Sequence, residues 1–190
     1  GFEKLETKNL NTLKISLPIR LHDAVDINQE FDLENYEWHL SYNECQNARK
    51  FYKSVIKNTM NVKKFSIHLP DYINSRALID PNSPDNEIKL ASRLIVGQCA
   101  EFANHLQQVT GNPVPIVGSF SKMNTSKETF YSQLSDYLFE CYELHDVQIM
   151  PQFLPKIAWY FGGSVELNSF CSLSDIDYFS KLPFGICLDT

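Results

Sequence analysis

A chain of 190 residues that is 43% hydrophobic and 21% charged can close one domain around a substantial core. It is too short for two comfortable domains and too apolar to stay disordered. A formal net charge of −6, with no clustered stripe of Lys and Arg, excludes a protein that holds nucleic acid through phosphate contacts.

The densest basic stretch, Arg49, Lys50, Lys53, Lys57, Lys63 and Lys64, has the spacing of a solvated helix face. No run is apolar for long enough to cross a bilayer and none reads as a signal peptide, so no membrane partner is expected. Five scattered cysteines, Cys45, Cys99, Cys141, Cys171 and Cys187, form no C-x-x-C pair and each sits among apolar neighbours. They read as buried free thiols, which suits a reducing cytoplasm.

Residues 1–12 are polar and read as an N-terminal arm, leaving 13–190 as the domain. Leu13 to Leu17 is the first strand candidate, followed by Pro18 and the polar residues Arg20, His22 and Asp23. Asn35 to Leu40 is the second, with Glu37 and His39 on one face by the period of two. Their pairing would either orient the imidazole or fill the centre of the fold as a buried ion pair. Ser41 and Glu44 have capping-box spacing ahead of a helix whose apolar side carries Cys45, Ala48, Phe51, Tyr52, Val55 and Ile56.

Lys64 to Leu69 is the third strand, in which His68 alternates with Phe65, Ile67 and Leu69 and points inward, either as a site residue or as a satisfied structural histidine. Asn74 to Asn86, with Pro81 and Pro84, reads as a loop long enough to stand beside a site. Ile88, Ala91, Leu94, Ile95, Phe102, Leu106 and Val109 mark a helix over 87–109 that Gly111 would cap. Pro115 to Val117 is the fourth strand. Ser119, Ser121 and Lys122 follow it, either as a phosphate cradle or as a simple polar loop.

Thr125 and Glu128 have capping-box spacing before a helix carrying Phe130, Leu134, Leu138 and Cys141. Val147 to Met150 is the fifth strand, ending in Pro151 and Gln152. Trp159, Tyr160 and Phe161 form an aromatic segment that either stacks on a ligand or packs against the sheet. A short helix around 174–181 precedes the sixth strand, Phe184 to Leu188, which delivers Asp189.

Strands alternating with helices predict a parallel sheet with right-handed crossovers. The chain lacks the glycine-rich turn that an open doubly wound sheet usually carries after its first strand. Polar residues stand at or just past all six strand ends: His22, His39, His68, Ser119, Gln152 and Asp189. That distribution points to an α/β fold of the (β/α)8 TIM-barrel type, incomplete, with about six parallel strands present.

Ser66-Ile-His-Leu-Pro-Asp-Tyr72, Pro151-Gln152, Trp159 to Gly163 and Ile186-Cys-Leu-Asp-Thr190 together resemble the xylose isomerase-like TIM barrel superfamily. It includes sugar isomerases, sugar-phosphate epimerases and zinc apurinic endonucleases. The resemblance implies a divalent metal, Zn, Mn or Mg, held by Asp189. It implies a carbohydrate contacted by His68, Gln152, Lys122 and Trp159, and catalytic assistance from Glu37 or His39. The sequence departs from the pattern in having Gln152 where the superfamily has a metal-bridging Glu, and Gly118-Ser119 where the endonuclease branch has a His.

The last two barrel strands and their proton-moving Glu are not in the chain. The resemblance therefore implies a sugar or sugar-phosphate isomerase/epimerase-like domain, inactive alone and associating with itself through exposed strand edges. The alternative is a non-catalytic accessory or regulatory barrel in carbohydrate biosynthesis that has lost the metal site.

Overall fold

The computed structural model describes residues 16–20, 23, 26, 35–47, 64–73, 77–160 and 163–189. The expected N-terminal arm, His22 and the helix and basic stretch beyond Asn47 lie outside those residues, Lys64 excepted. Six strands form one sheet in chain order: β1 (Leu17–Ile19), β2 (Asn35–His39), β3 (Lys64–His68), β6 (Ile116–Gly118), β7 (Ile149–Phe153) and β10 (Cys187–Leu188). Every neighbouring pair is parallel. The sheet curls into a half-barrel, so that Arg20, just past its first strand, and Asp189, just past its last, line one cavity.

The period of two read from the sequence is what divides the sheet faces. Tyr36, Trp38, Phe65 and Ile67 are buried on the convex side, whereas Glu37, His39, Ser66 and His68 are partly open on the concave side. The register sets Glu37 opposite Ser66 and His39 opposite His68. On the convex side Trp38 stacks on Phe65 at 6.0 Å between centroids and meets Phe102 at 6.2 Å. Phe102 belongs to α1 (Asn86–Thr110), which Asp85 caps by accepting from the Glu87 and Ile88 N–H groups, and which Gly111 ends at φ 69° as expected.

The helix buries Ile95, Val96, Cys99, Ala100, Phe102, Ala103 and Leu106. Leu94 and Val109, expected on that stripe, are instead 57% and 52% exposed. At about 100° per residue the buried set centres near Cys99, and Leu94 and Val109 fall outside that stripe.

Helix α2 (Lys127–His145) buries Phe130, Leu134, Leu138 and Cys141, as their spacing predicts. Its cap is Ser126, which accepts from the Thr129 N–H, rather than the expected pair Thr125 and Glu128. The helix begins one residue later than that pair requires, and Glu128 serves in its first turn, where the dipole favours an acid. The other expected capping box is formed: Ser41 N–H donates to Glu44 Oε2 at 2.7 Å and Glu44 N–H to Ser41 Oγ at 3.2 Å, opening helical residues 42–47.

Two strand ends carry hairpins where the sequence suggested a loop and an aromatic segment. After β3, β4 (Tyr72–Ile73) pairs antiparallel with β5 (Ala77–Leu78). The prolines at 81 and 84 fall beyond this pair, so they forbid regular structure only between it and α1. After β7, β8 (Ile157–Tyr160) pairs antiparallel with β9 (Gly163–Glu166). Tyr72 packs with Leu154 and Val165 against Ala158 and Leu167, so the two hairpins share a small core of their own.

A 3₁₀ turn over Leu173–Asp175 and α3 (Ile176–Phe179) lead to β10. The fully buried Asp175 anchors that passage, accepting from Lys127 Nζ at 2.6 Å and from the N–H groups of Cys171 and Ser172. The five thiols are free; Cys45, Cys99 and Cys141 are buried as expected, but Cys171, in the passage after the second hairpin, and Cys187, in the edge strand β10, are only half-buried. Among the described residues no helix is long and apolar enough to cross a membrane.

Candidate functional site

The concave side of the sheet opens at the strand C-terminal ends into a cavity of about 770 Å³. Each strand that reaches it contributes through its last residues: Glu37 and His39 from β2, His68 from β3, Gln152 from β7, Cys187 and Leu188 from β10. The hairpins add Tyr72 and Trp159 to the wall.

A continuous polar row crosses the floor. Ser66 Oγ donates to Glu37 Oε2 at 3.0 Å, and Glu37 Oε1 holds His39 Nε2 at 2.7 Å. The His39 ring stacks on His68. His68 Nδ1 lies 2.7 Å from the Leu69 carbonyl oxygen, and His68 Nε2 lies 3.3 Å from Gln152 Oε1. Gln152 Nε2 then donates to Asp189 Oδ2 at 3.0 Å. The run from the Leu69 carbonyl to the Asp189 carboxylate has an acceptor at both ends, so it closes only when the His68 ring donates from both nitrogens.

Electrostatics separate the carboxyl groups. The hydrogen bond from His39 holds the Glu37 carboxyl below its usual range against the opposing effect of burial, and the charge of His39, the Ser66 hydroxyl and the charge of His68 add to the lowering. Burial pushes the Asp71 carboxyl up, although His68 and His39 pull the other way. Burial likewise raises the Cys187 thiol, so it lines the cavity as a neutral group.

Glu37, His39, His68, Gln152, Trp159 and Asp189 are thus brought to one mouth. Trp159 is 77% exposed, which makes it a free aromatic surface rather than a core residue. Lys122 stands elsewhere: it is exposed, outside the cavity wall, and its charge acts on Asp80, which also accepts from Asn124 at 2.8 Å. Ser119 is buried and also outside the wall.

Sequence reasoning did not assign Asp71 a role. It lies three residues past His68 in the segment Ser66 to Tyr72, on the turn into the first hairpin, where Pro70 ends the strand and redirects the chain.

The donors do not assemble as a metal centre. Glu37 is occupied by His39 and Ser66, and Asp189 faces the neutral amide of Gln152. Among the described residues no three His, Cys, Asp or Glu side chains group closely enough to hold a metal ion. The chain matches no known protein-family model, no curated protein and no solved structure.

Proposed function

We propose that this is a sugar or sugar-phosphate isomerase/epimerase-like domain whose cavity binds a carbohydrate. The observation that carries the reading is the polar row from Glu37 to Asp189 lying within the same cavity as an exposed indole. Sugars present hydroxyl groups at their edges and C–H groups on their faces. A floor of alternating donors and acceptors meets the first, and an aromatic plane such as Trp159 meets the second. Glu37 fixes the orientation of His39, as a general base requires.

The chain contains two tryptophans, and Trp38 is fully buried, so Trp159 reports on the cavity. Pentoses, hexoses and their phosphates are expected to change tryptophan fluorescence saturably, and Trp159→Ala and His68→Ala are expected to abolish or weaken that change. No response to any of these sugars in the wild-type chain would overturn the reading.

One feature favours a non-catalytic accessory domain as the second reading. Gln152 bridges His68 and Asp189 with both ends of its amide, a use that suits holding a ligand more than moving protons. Binding without chemistry on any bound sugar would select it.

A further inference from the structure

We propose that Asp71 is a catalytic acid of this cavity, donating a proton to the carbonyl oxygen of a bound open-chain sugar while the Glu37–His39 pair removes a proton from the adjacent carbon. The inference rests on the carbohydrate reading above and deepens it to one substrate class, an α-hydroxy carbonyl compound.

Placement comes first. Asp71 is fixed by its backbone, because its carbonyl accepts from Ile79 N–H at 3.0 Å at the base of the first hairpin. Asp71 is part of the cavity wall, and no hydrogen bond to its carboxyl is formed among the described residues, unlike those to Glu37 and Asp189. It lies close enough to His68 and His39 for their charges to act on it. Glu37 feels the same two rings, so the imidazole stack shares one cavity with two carboxyl groups of opposite disposition. Glu37 is stabilised as the anion; burial favours the neutral acid at Asp71. Two carboxyl groups pushed apart in this way define a base side and an acid side.

The chemistry balances without any other reactant. Glu37 accepts from His39 Nε2, leaving Nδ1 as the basic nitrogen of that ring. As Nδ1 takes the proton from the hydroxyl-bearing carbon, the C–H electrons form a C=C bond. The carbonyl π electrons take the Asp71 proton, giving a neutral enediol, an imidazolium and an Asp71 carboxylate. In the return step Asp71 recovers a proton from the neighbouring hydroxyl as its C=O forms, and the imidazolium returns its proton to carbon. The superfamily resemblance places the proton-moving carboxylate elsewhere; Asp71 supplies one inside this chain.

The test is deuterium wash-in in D2O, read by NMR on D-xylulose and D-fructose 6-phosphate at the carbon beside the carbonyl, with binding of each sugar measured separately. Asp71→Asn is expected to slow exchange about 100-fold or more, the usual contribution of a general acid, with binding changed only a few-fold. Asp71→Glu, which keeps the acid, is expected to recover part of the rate. Equal exchange in wild type and Asp71→Asn overturns the proposal, as does a wild-type chain that binds sugar without exchanging it. Failure to bind either sugar removes the carbohydrate reading and this proposal together. Should Asp71→Asn fail to fold, Asp71→Glu decides alone: unchanged exchange with a displaced carboxyl overturns the assignment.

Discussion

His39 and His68 lie ring over ring, their centroids 4.7 Å apart and their planes 19° from parallel. Register pairing across β2 and β3 sets them opposite one another, and each is held by different partners: His39 by Glu37, His68 by Leu69 and Gln152. The stack couples two hydrogen-bonded halves of the cavity floor that share no direct bond among those described.

Glu37→Gln should remove the anion that steadies this arrangement. Because the folded state holds the Glu37 carboxyl below its ordinary value of 4.5, its stabilising contribution is complete above that value. It is lost as pH falls through the lower folded one. Denaturant unfolding from neutral pH downward is expected to show the variant less stable by about 1 kcal/mol at pH 7, converging on wild type in acid. Parallel stability curves would show that Glu37 carries no such linkage.

Asp71 has the opposite sign. Its carboxyl is raised above the ordinary 3.8 because burial disfavours the charged form. The folded state then holds a proton that the unfolded chain releases, and stability falls as pH rises through the folded value. Asp71→Asn is therefore expected to gain stability relative to wild type between acid and neutral pH, seen as a Tm difference that grows with pH. A difference independent of pH would contradict this account.

Gln152→Glu places at this position the carboxylate that the proposed resemblance would imply. It replaces the amide that donates to Asp189 with a second carboxylate, so like charges face each other. Without metal the cost is expected to be about 1 kcal/mol, with the Asp189 carboxylate losing its donor. With Mn or Zn the new carboxylate joins Asp189 and His68 as a third ligand, and calorimetry is expected to show tighter divalent-metal binding than in wild type. Equal metal affinity in the two proteins would mean that the amide is not what keeps the donors from acting together.

Much of this site was legible because a period of two is a local property. Glu37, His39 and His68 declare their common face by alternation with Tyr36, Trp38, Phe65 and Ile67. Gly111 likewise marked its helix end through its own backbone conformation. Asp71 escaped because it lies one turn beyond a strand, where direction is set by the hairpin that follows. The hairpins themselves have strands of two to four residues, too short to show any period. Lys122 followed a strand end as the others did, yet its loop leads away from the cavity. The curl of the sheet depends on pairings between residues far apart in the chain, so strand order could be inferred from the alternation of elements while closure could not.

Gly118 connects packing to chemistry. A Cβ at this position would sit 2.5 Å from Leu69 Cδ1, which would have to shift, and 3.0 Å from Leu69 Cβ, a tight contact. Leu69 is 2% exposed, so its side chain has little room to turn away, and its N–H donates to the Val117 carbonyl at 2.8 Å, so a shift of its backbone would strain the ladder between β3 and β6. Its carbonyl is also the anchor of His68 Nδ1. Gly118→Ala is expected to destabilise by about 1–3 kcal/mol through overpacking, read from the denaturant midpoint. It is also expected to shift the His68 ring resonances in NMR, because the displaced carbonyl carries the imidazole with it. Adding Leu69→Ala removes Cδ1 and Cγ and with them the worst clash, so the double variant is expected to lose less stability than the two single losses combined. Strict additivity, or an undisturbed His68 resonance in Gly118→Ala, would mean that the close approach of Gly118 to Leu69 does not hold the cavity floor in place.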